Sequence, residues 1–103
     1  MKEMLTVKKY GATWCTQCKS LEAGLHFLKR SNPDHFEIIE VNIDDNPDDA
    51  LKSNVRSIPT LVLLDGLGLE VDRRIGAMPL DKLKQFLRIT DTKLDDDLPK
   101  ELL

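Results

Sequence analysis

The sequence Trp14-Cys15-Thr16-Gln17-Cys18 contains both cysteines of the chain and stands where a strand pattern changes to a helical one. The apolar alternation before it predicts a strand over residues 4–10, and leucines at helical spacing after it predict a helix over about 15–30. Cys15 therefore falls in the first turn of a helix, where unpaired backbone N–H groups and the helix dipole stabilise an anion. We expect this position to favour a Cys15 thiolate.

The spacing of the two cysteines predicts how they react. Two residues separate them, which places Cys18 beside Cys15 on one helical turn. A mixed disulfide formed on Cys15 would then be attacked by Cys18 within the same molecule, at a high effective concentration. The pair therefore predicts thiol–disulfide exchange.

Length and composition describe one globular domain. The chain has 103 residues, 41% hydrophobic and 32% charged, which is enough for a single core. A net charge of -3 and a pI near 5.3 give no electrostatic basis for binding nucleic acid or an anionic membrane. We recognise neither an apolar run long enough to span a membrane nor a signal peptide, so we expect a cytoplasmic protein. In that reducing compartment a close cysteine pair is catalytic, redox-sensing or metal-binding rather than a structural cross-link.

The rest of the pattern predicts an α/β arrangement. The predicted elements after the first helix are strands over residues 36–43, 60–64 and 69–75, a short helix beginning at Pro47, and a last helix after Gly76. The first two strands should be parallel, with a right-handed crossover. Residues 1–90 form the predicted domain. The acidic residues 91–103 are predicted to be a frayed or loosely docked extension, with partner binding as the alternative.

This order of elements resembles the thioredoxin family over about residues 4 to 90. Four separated motifs carry the resemblance: Trp14–Lys19, Val41–Pro47, Val55–Thr60 and Ile75–Ala77. The resemblance implies a thioredoxin-like α/β fold with a central four-stranded mixed sheet flanked by three helices. Thioredoxins usually have a further strand and helix before the strand that leads to the active site. Only fourteen residues precede Cys15 here, so we expect that unit to be missing and the outline to be closer to that of glutaredoxins.

The resemblance also implies roles for individual residues. Cys15 would attack a substrate disulfide, Cys18 would resolve the mixed disulfide, and Pro59 would lie in the cis form against the dithiol. The backbone of Ile58 would stay open to bind an extended substrate segment. Gly76 would allow a substrate backbone to approach closely. The alternatives are a trans Pro59 that begins an edge strand, and a Gly76 that is an ordinary turn glycine.

The residues around the cysteines are predicted to contribute to the substrate-binding surface. Thioredoxins typically have Gly-Pro between the cysteines, whereas this chain has Thr16-Gln17. Without the proline, Gln17 keeps a backbone N–H that can bond toward the Cys15 sulfur, and we expect a changed reduction potential. Trp14 is predicted to be a partly exposed lid beside the dithiol, with a core tryptophan as the alternative.

A charge exchange separates this sequence from the family. The family places a buried aspartate six residues before the first cysteine and a lysine on the adjacent strand; those positions are Lys9 and Glu40 here. We hypothesise that Glu40 is the base that accepts the Cys18 proton through water, and that Lys9 holds Glu40 ionised. The alternative is that both are ordinary exposed strand charges.

The resemblance implies a thiol–disulfide oxidoreductase that reduces disulfides in protein substrates and binds no cofactor. Its electrons would come from NADPH through a thioredoxin reductase. A glutaredoxin-type cycle with glutathione is one alternative, and a protein-binding module with secondary redox activity is another. We expect a monomer with neither a nucleic-acid nor a membrane partner. No metal site is predicted, because His26 and His35 are separated from each other and from the cysteines along the chain.

Overall fold

The computed structural model describes residues 4–89. The predicted order of elements is confirmed, and most of their ends fall within one or two residues of the expected positions. The elements are β1 (Leu5–Gly11), α1 (Thr16–Ser31), β2 (Phe36–Asn42), α2 (Pro47–Lys52), β3 (Thr60–Leu64), β4 (Glu70–Ile75) and α3 (Leu80–Phe86). The prediction for the acidic residues 91–103 lies outside the described residues.

The four strands form one mixed sheet, as expected, and their order in it is β2-β1-β3-β4. β1 and β2 are parallel, and β3 is antiparallel to both β1 and β4. Tyr10 lies opposite Val41 on one side and Thr60 on the other, and Thr60 lies opposite Ile75. The carboxyl ends of β1 and β4 and the amino end of β3 lie at the same end of the sheet. This register brings the segment with the two cysteines, the segment ending at Pro59 and the turn at Gly76 together.

Alternation along β1 divides the core between the two faces of the sheet. Val7 is fully buried on the face that packs against α1 and α3, and Tyr10 is fully buried on the opposite face, which packs against α2. Leucines at helical spacing on α1 complete the first cluster: Leu21, Leu25 and Leu28. The sheet is therefore covered on both faces, which holds the end of β1 in a fixed position.

Polar side chains attach α2 to the sheet. The Tyr10 hydroxyl lies 2.9 Å from Asp49 Oδ1 and 2.8 Å from Ser53 Oγ. The Lys8 ammonium donates to both carboxylate oxygens of Asp49 at 3.1 Å. These hydrogen bonds lower the pKa of Asp49, with Lys8 making the largest contribution and Tyr10 the next. A buried hydroxyl and a charged pair thus fix the short helix against β1.

The strand β2 forms one edge of the sheet in the described part of the chain. Its Ile39 side chain is 47% exposed, and Glu37 and Glu40 face solvent on the same strand. Among residues 4–89, no helix has both the length and the apolar character needed to cross a membrane.

Candidate active site

The two cysteines lie at the beginning of α1, as the sequence predicts. Cys15 is the N-cap residue, with an extended backbone (φ -93°, ψ 109°). Its sulfur accepts a hydrogen bond from the backbone N–H of Cys18 at 3.1 Å. Cys15 and Cys18 are joined in a disulfide, with their Cα atoms 5.2 Å apart. A sulfur in the N-cap position takes up one of the free N–H groups of the first turn, which stabilises a thiolate in the reduced form.

The donor to the Cys15 sulfur differs from the expected one. We predicted the backbone N–H of Gln17, but the bond comes from Cys18. An N-cap side chain reaches the N–H groups two or three residues ahead, and the geometry here selects the third. Thr16 and Gln17 are exposed on the outer side of this turn, where they are accessible to a substrate.

Trp14 lies on the surface, in agreement with the predicted lid and against a core position. It is 65% exposed, and its indole N–H donates to Asp44 Oδ2 at 2.9 Å. The hydrogen bond joins the residue before the dithiol to the loop between β2 and α2. We did not anticipate a role for Asp44, although it belongs to one of the motifs that carry the resemblance.

The Ile58–Pro59 peptide bond is cis, so the predicted isomer is confirmed and the trans alternative is wrong. Pro59 is buried, whereas Ile58 is partly exposed. Ile58 and Trp14 both line an open cavity of about 300 Å³, together with Ile43 and Val55. This groove is largely apolar and runs beside the dithiol segment.

Gly76 lies beside Pro59 and contacts it through the backbone. Its N–H donates to the Pro59 carbonyl oxygen at 2.8 Å. Its φ of +92° lies in the left-handed region, which side-chain-bearing residues rarely adopt. A Cβ at this position would meet nothing within 4 Å, so the turn conformation accounts for the glycine within this chain. The same open space is available to a substrate backbone.

Lys9 and Glu40 form the ion pair that the charge exchange predicts. They lie opposite each other on β1 and β2, and Lys9 Nζ is 3.9 Å from Glu40 Oε1. Lys9 is only 6% exposed, so it is not an ordinary surface charge, whereas the Glu40 side chain is 42% exposed, as the alternative expects. Sequence reasoning missed two further members: Glu22 Oε1 lies 3.8 Å from Lys9 Nζ, and His26 Nε2 lies 3.2 Å from Glu40 Oε2. The i, i+4 spacing of Glu22 and His26 on α1 was the available signal.

Gly11 is another site residue that the sequence analysis did not identify. A Cβ added there would lie 2.9 Å from Cys18 Sγ, closer than two such atoms can approach without displacement. The last residue of β1 therefore makes room for the second sulfur. Gly11 also lines an open cavity of about 390 Å³, whose walls include Lys9, Cys18, Glu22 and Glu40. The acidic and basic side chains thus share a cavity with Cys18.

We assign no metal to this cluster. One ligand atom from each of Glu22, His26 and Glu40 lies within 4.8 Å of the others, which is compact enough for an ion. However, the Lys9 ammonium already faces both carboxylates and would repel a further cation. The lysine therefore fills the role of the counter-ion.

Comparisons with known proteins agree with this geometry. The family model described as Thioredoxin matches residues 1–89. A thioredoxin of Staphylococcus aureus is 35% identical over 78 residues, which cover 76% of this chain and 74% of that protein. The thioredoxin of Fasciola hepatica has a similar structure, with a TM-score of 0.75 and 32% identity over 84% of this chain and 81% of that one.

A malaria-parasite protein shares the fold at lower sequence identity. It is thioredoxin-2, described as a component of the parasite's protein secretion machinery, with a TM-score of 0.78 and 23% identity. The similarity covers 87% of this chain and 86% of that one. At this identity the likeness supports the fold alone.

Proposed function

Because the chain belongs to the thioredoxin family and is a thiol–disulfide oxidoreductase, we propose that it reduces protein disulfides with electrons from a thioredoxin reductase. The observation that carries this proposal is the position of the Cys15–Cys18 disulfide. It lies at the N-cap of α1, at the same end of the sheet as the cis Pro59 segment that leads into β3. A nucleophile and an open groove for an extended peptide lie at the same end. That arrangement favours a protein rather than a small molecule as the oxidised substrate.

The reaction proceeds in two exchanges. In the reduced protein, the Cys15 thiolate attacks one sulfur of the substrate disulfide, and the other substrate sulfur leaves as a thiolate. Cys18 then loses its proton and attacks Cys15 Sγ, which restores the Cys15–Cys18 disulfide and releases the second substrate thiolate. The substrate gains two electrons and the dithiol loses two. The NADPH-dependent reductase would return the disulfide to the dithiol.

The groove between Trp14 and Ile58 supports the mode of substrate binding. Its apolar walls suit a hydrophobic side chain, and Ile58 lies next to a proline that has no N–H of its own to offer. An extended substrate segment would lie along Ile58 as an added strand, with Gly76, Thr16 and Gln17 around it. The indole of Trp14, held by its hydrogen bond to Asp44, would form part of the wall of the groove.

The source of electrons is tested by coupled turnover with insulin as the disulfide substrate. We expect rapid NADPH oxidation with a bacterial thioredoxin reductase and little with glutathione and glutathione reductase. Cys15→Ser is the matched control, since it removes the nucleophile and should abolish both activities. Turnover with glutathione alone would instead favour the glutaredoxin-type cycle, and partner binding retained by the Cys15→Ser, Cys18→Ser double variant would favour a binding module.

We also propose that Glu40 is the base for Cys18, acting through water in the shared cavity, and that Lys9 holds it ionised. The buried position of Lys9 and its distance of 3.9 Å from Glu40 support this role. Glu40→Gln should slow resolution of the mixed disulfide about a hundredfold at neutral pH, the low end of the usual effect of general-base catalysis. Glu37→Gln removes an exposed carboxylate of the same strand and should leave the rate unchanged. An unchanged rate in Glu40→Gln would refute the role.

We further propose a cytoplasmic monomer. Close cysteine pairs in small reducing-compartment proteins are used for catalysis, and an exchange reaction of this kind needs a disulfide that can be reduced repeatedly. Size-exclusion chromatography with light scattering in the reduced and oxidised forms tests the monomer. A stable dimer in either form would contradict it.

A further inference from the structure

His26 contacts both carboxylates of the cluster formed by Lys9, Glu22 and Glu40. His26 Nε2 lies 3.2 Å from Glu40 Oε2 and 3.9 Å from Glu22 Oε2. Lys9 Nζ approaches the other oxygen of each carboxylate, Glu40 Oε1 at 3.9 Å and Glu22 Oε1 at 3.8 Å. Each carboxylate is thus held between a lysine and an imidazole. Glu40 therefore contacts one ammonium group and one imidazole ring.

The burial of these partners differs in a way that matters for proton exchange. The Lys9 side chain is only 7% exposed, whereas the His26 side chain is 51% exposed. The His26 ring is therefore accessible to solvent while it remains in contact with Glu40. Histidine is also the side chain whose ordinary titration range lies near neutral pH.

We propose that His26 is a positioning residue that sets the base strength of Glu40, so that Cys18 resolves the mixed disulfide more slowly when His26 is protonated. This inference rests on the proposed role of Glu40. A neutral imidazole only hydrogen-bonds to the carboxylate and fixes its orientation toward the cavity. A protonated imidazole adds a positive charge 3.2 Å away, which stabilises the carboxylate and weakens its attraction for the Cys18 proton.

The charged groups around His26 limit the size of this effect. Glu22 from α1 and Glu40 from β2 contact it directly, and Lys9 from β1 faces both carboxylates. A protonated His26 would interact with the Glu22 carboxylate as well, which reduces its effect on Glu40. Half-exposed ion pairs have small energies, so we expect resolution to slow about twofold to fivefold on protonation.

Two substitutions separate the charge of His26 from its hydrogen bond. His26→Gln keeps a neutral polar group and His26→Lys supplies a permanent positive charge. The reduced proteins are mixed with dithiobis-nitrobenzoate in a stopped-flow instrument across the range around the ordinary histidine pKa. The first release of thionitrobenzoate reports attack by Cys15, and the second reports resolution by Cys18. Rates are compared with the native chain at each pH, because deprotonation of Cys18 itself affects all three proteins.

We expect the native second-phase rate to equal that of His26→Gln at high pH and to fall toward that of His26→Lys as pH decreases. His35→Gln is the matched control: His35 bonds the Leu87 carbonyl oxygen at 2.8 Å, and its loss should leave the second-phase profile unchanged. A ratio of His26→Gln to native rates that stays constant with pH, or equal rates for the two His26 variants, would overturn the inference.

The failure of this inference is distinguishable from that of its premises. If Glu40→Gln does not slow the second phase, the base role falls. If Glu40→Gln slows it but the His26 ratios stay flat, only the coupling falls. A normal first phase in each variant keeps the exchange function itself intact, and unchanged far-ultraviolet circular dichroism excludes misfolding as the cause.

Discussion

At position 11 the chain has room for a hydrogen and little more. An ideal Cβ at Gly11 would lie 2.9 Å from Cys18 Sγ and 3.3 Å from Cys18 Cβ. In the disulfide the Cys18 sulfur is fixed by its bond to Cys15, whereas in the dithiol it can rotate away. An added methyl group should therefore destabilise the oxidised form more than the reduced form.

Gly11→Ala should make the disulfide easier to reduce. Overpacking costs about 1–3 kcal/mol, which corresponds to a potential about 20–60 mV more oxidising if most of the cost falls on the disulfide. Equilibration of the protein in glutathione redox buffers, followed by Trp14 fluorescence, measures the shift. Gly24→Ala, farther along α1 against Leu83, is the control and should leave the potential unchanged. An unaltered potential in Gly11→Ala would show that the sulfur moves aside without cost.

Individual residues also show where sequence reasoning ends. Cys15 and Cys18 were identified from their spacing along the chain, and Pro59 from the resemblance to the thioredoxin family. Gly11 was not identified as a site residue, because its contact with the Cys18 sulfur depends on how β1 and α1 meet in space. The same applies to His26, which reaches Glu40 from a different element.

At the scale of elements, α2 is held to the sheet mainly by polar contacts. The helix has only six residues, and Ala50 is its one buried side chain. Six residues are too few for a helix to be stable on its own propensity. The bonds from Tyr10 to Asp49 and Ser53 therefore position α2, and α2 in turn supports the loop that bonds Trp14.

Tyr10→Phe removes the hydroxyl and keeps the buried ring. We expect the free energy of unfolding to fall by about 1 kcal/mol, since the hydroxyl is buried and bonds two groups. Urea unfolding followed by circular dichroism measures the change. Tyr10→Phe with an unchanged midpoint would mean that water replaces both bonds at no cost.

The elements were predictable because their signals are local. Apolar runs, helical spacing and Pro47 at the first position of α2 each act within a few residues. The docking of α2 through Lys8 and Tyr10 was not predicted, because hydrogen bonds that span about forty residues leave no periodic pattern. The donor to the Cys15 sulfur was misassigned for a related reason, since cap geometry depends on backbone angles that the sequence does not specify.

At the scale of the whole molecule, the fold couples stability to pH through Asp49. Hydrogen bonds from Lys8 and then Tyr10 lower the pKa of this carboxyl below its ordinary value. The Asp49 carboxyl therefore binds a proton less tightly in the folded state than in the unfolded state. This contribution is complete above the ordinary aspartate pKa, near 3.8, and is lost as pH falls below it toward the lower folded-state pKa.

Asp49→Asn should therefore be less stable than the native chain at neutral pH and should approach it in acid. The expected sign follows because only the native chain loses the ionised contact on protonation. Urea unfolding at a series of pH values measures the difference, and Asp45→Asn, in the exposed turn before α2, is the control. A difference between Asp49→Asn and native stability that does not change with pH would contradict the assignment.

We claim that Cys15 is the nucleophile and Cys18 the resolving residue of a protein-disulfide reductase. The most direct test is mass spectrometry of reduced Cys15→Ser and Cys18→Ser variants after reaction with a disulfide-containing protein such as insulin. Cys18→Ser should accumulate a covalent adduct on Cys15, because the second exchange cannot occur. Cys15→Ser should form little, because Cys18 is 2% exposed against 8% for Cys15. An adduct on Cys18 that forms at least as fast as the one on Cys15 would contradict the claim.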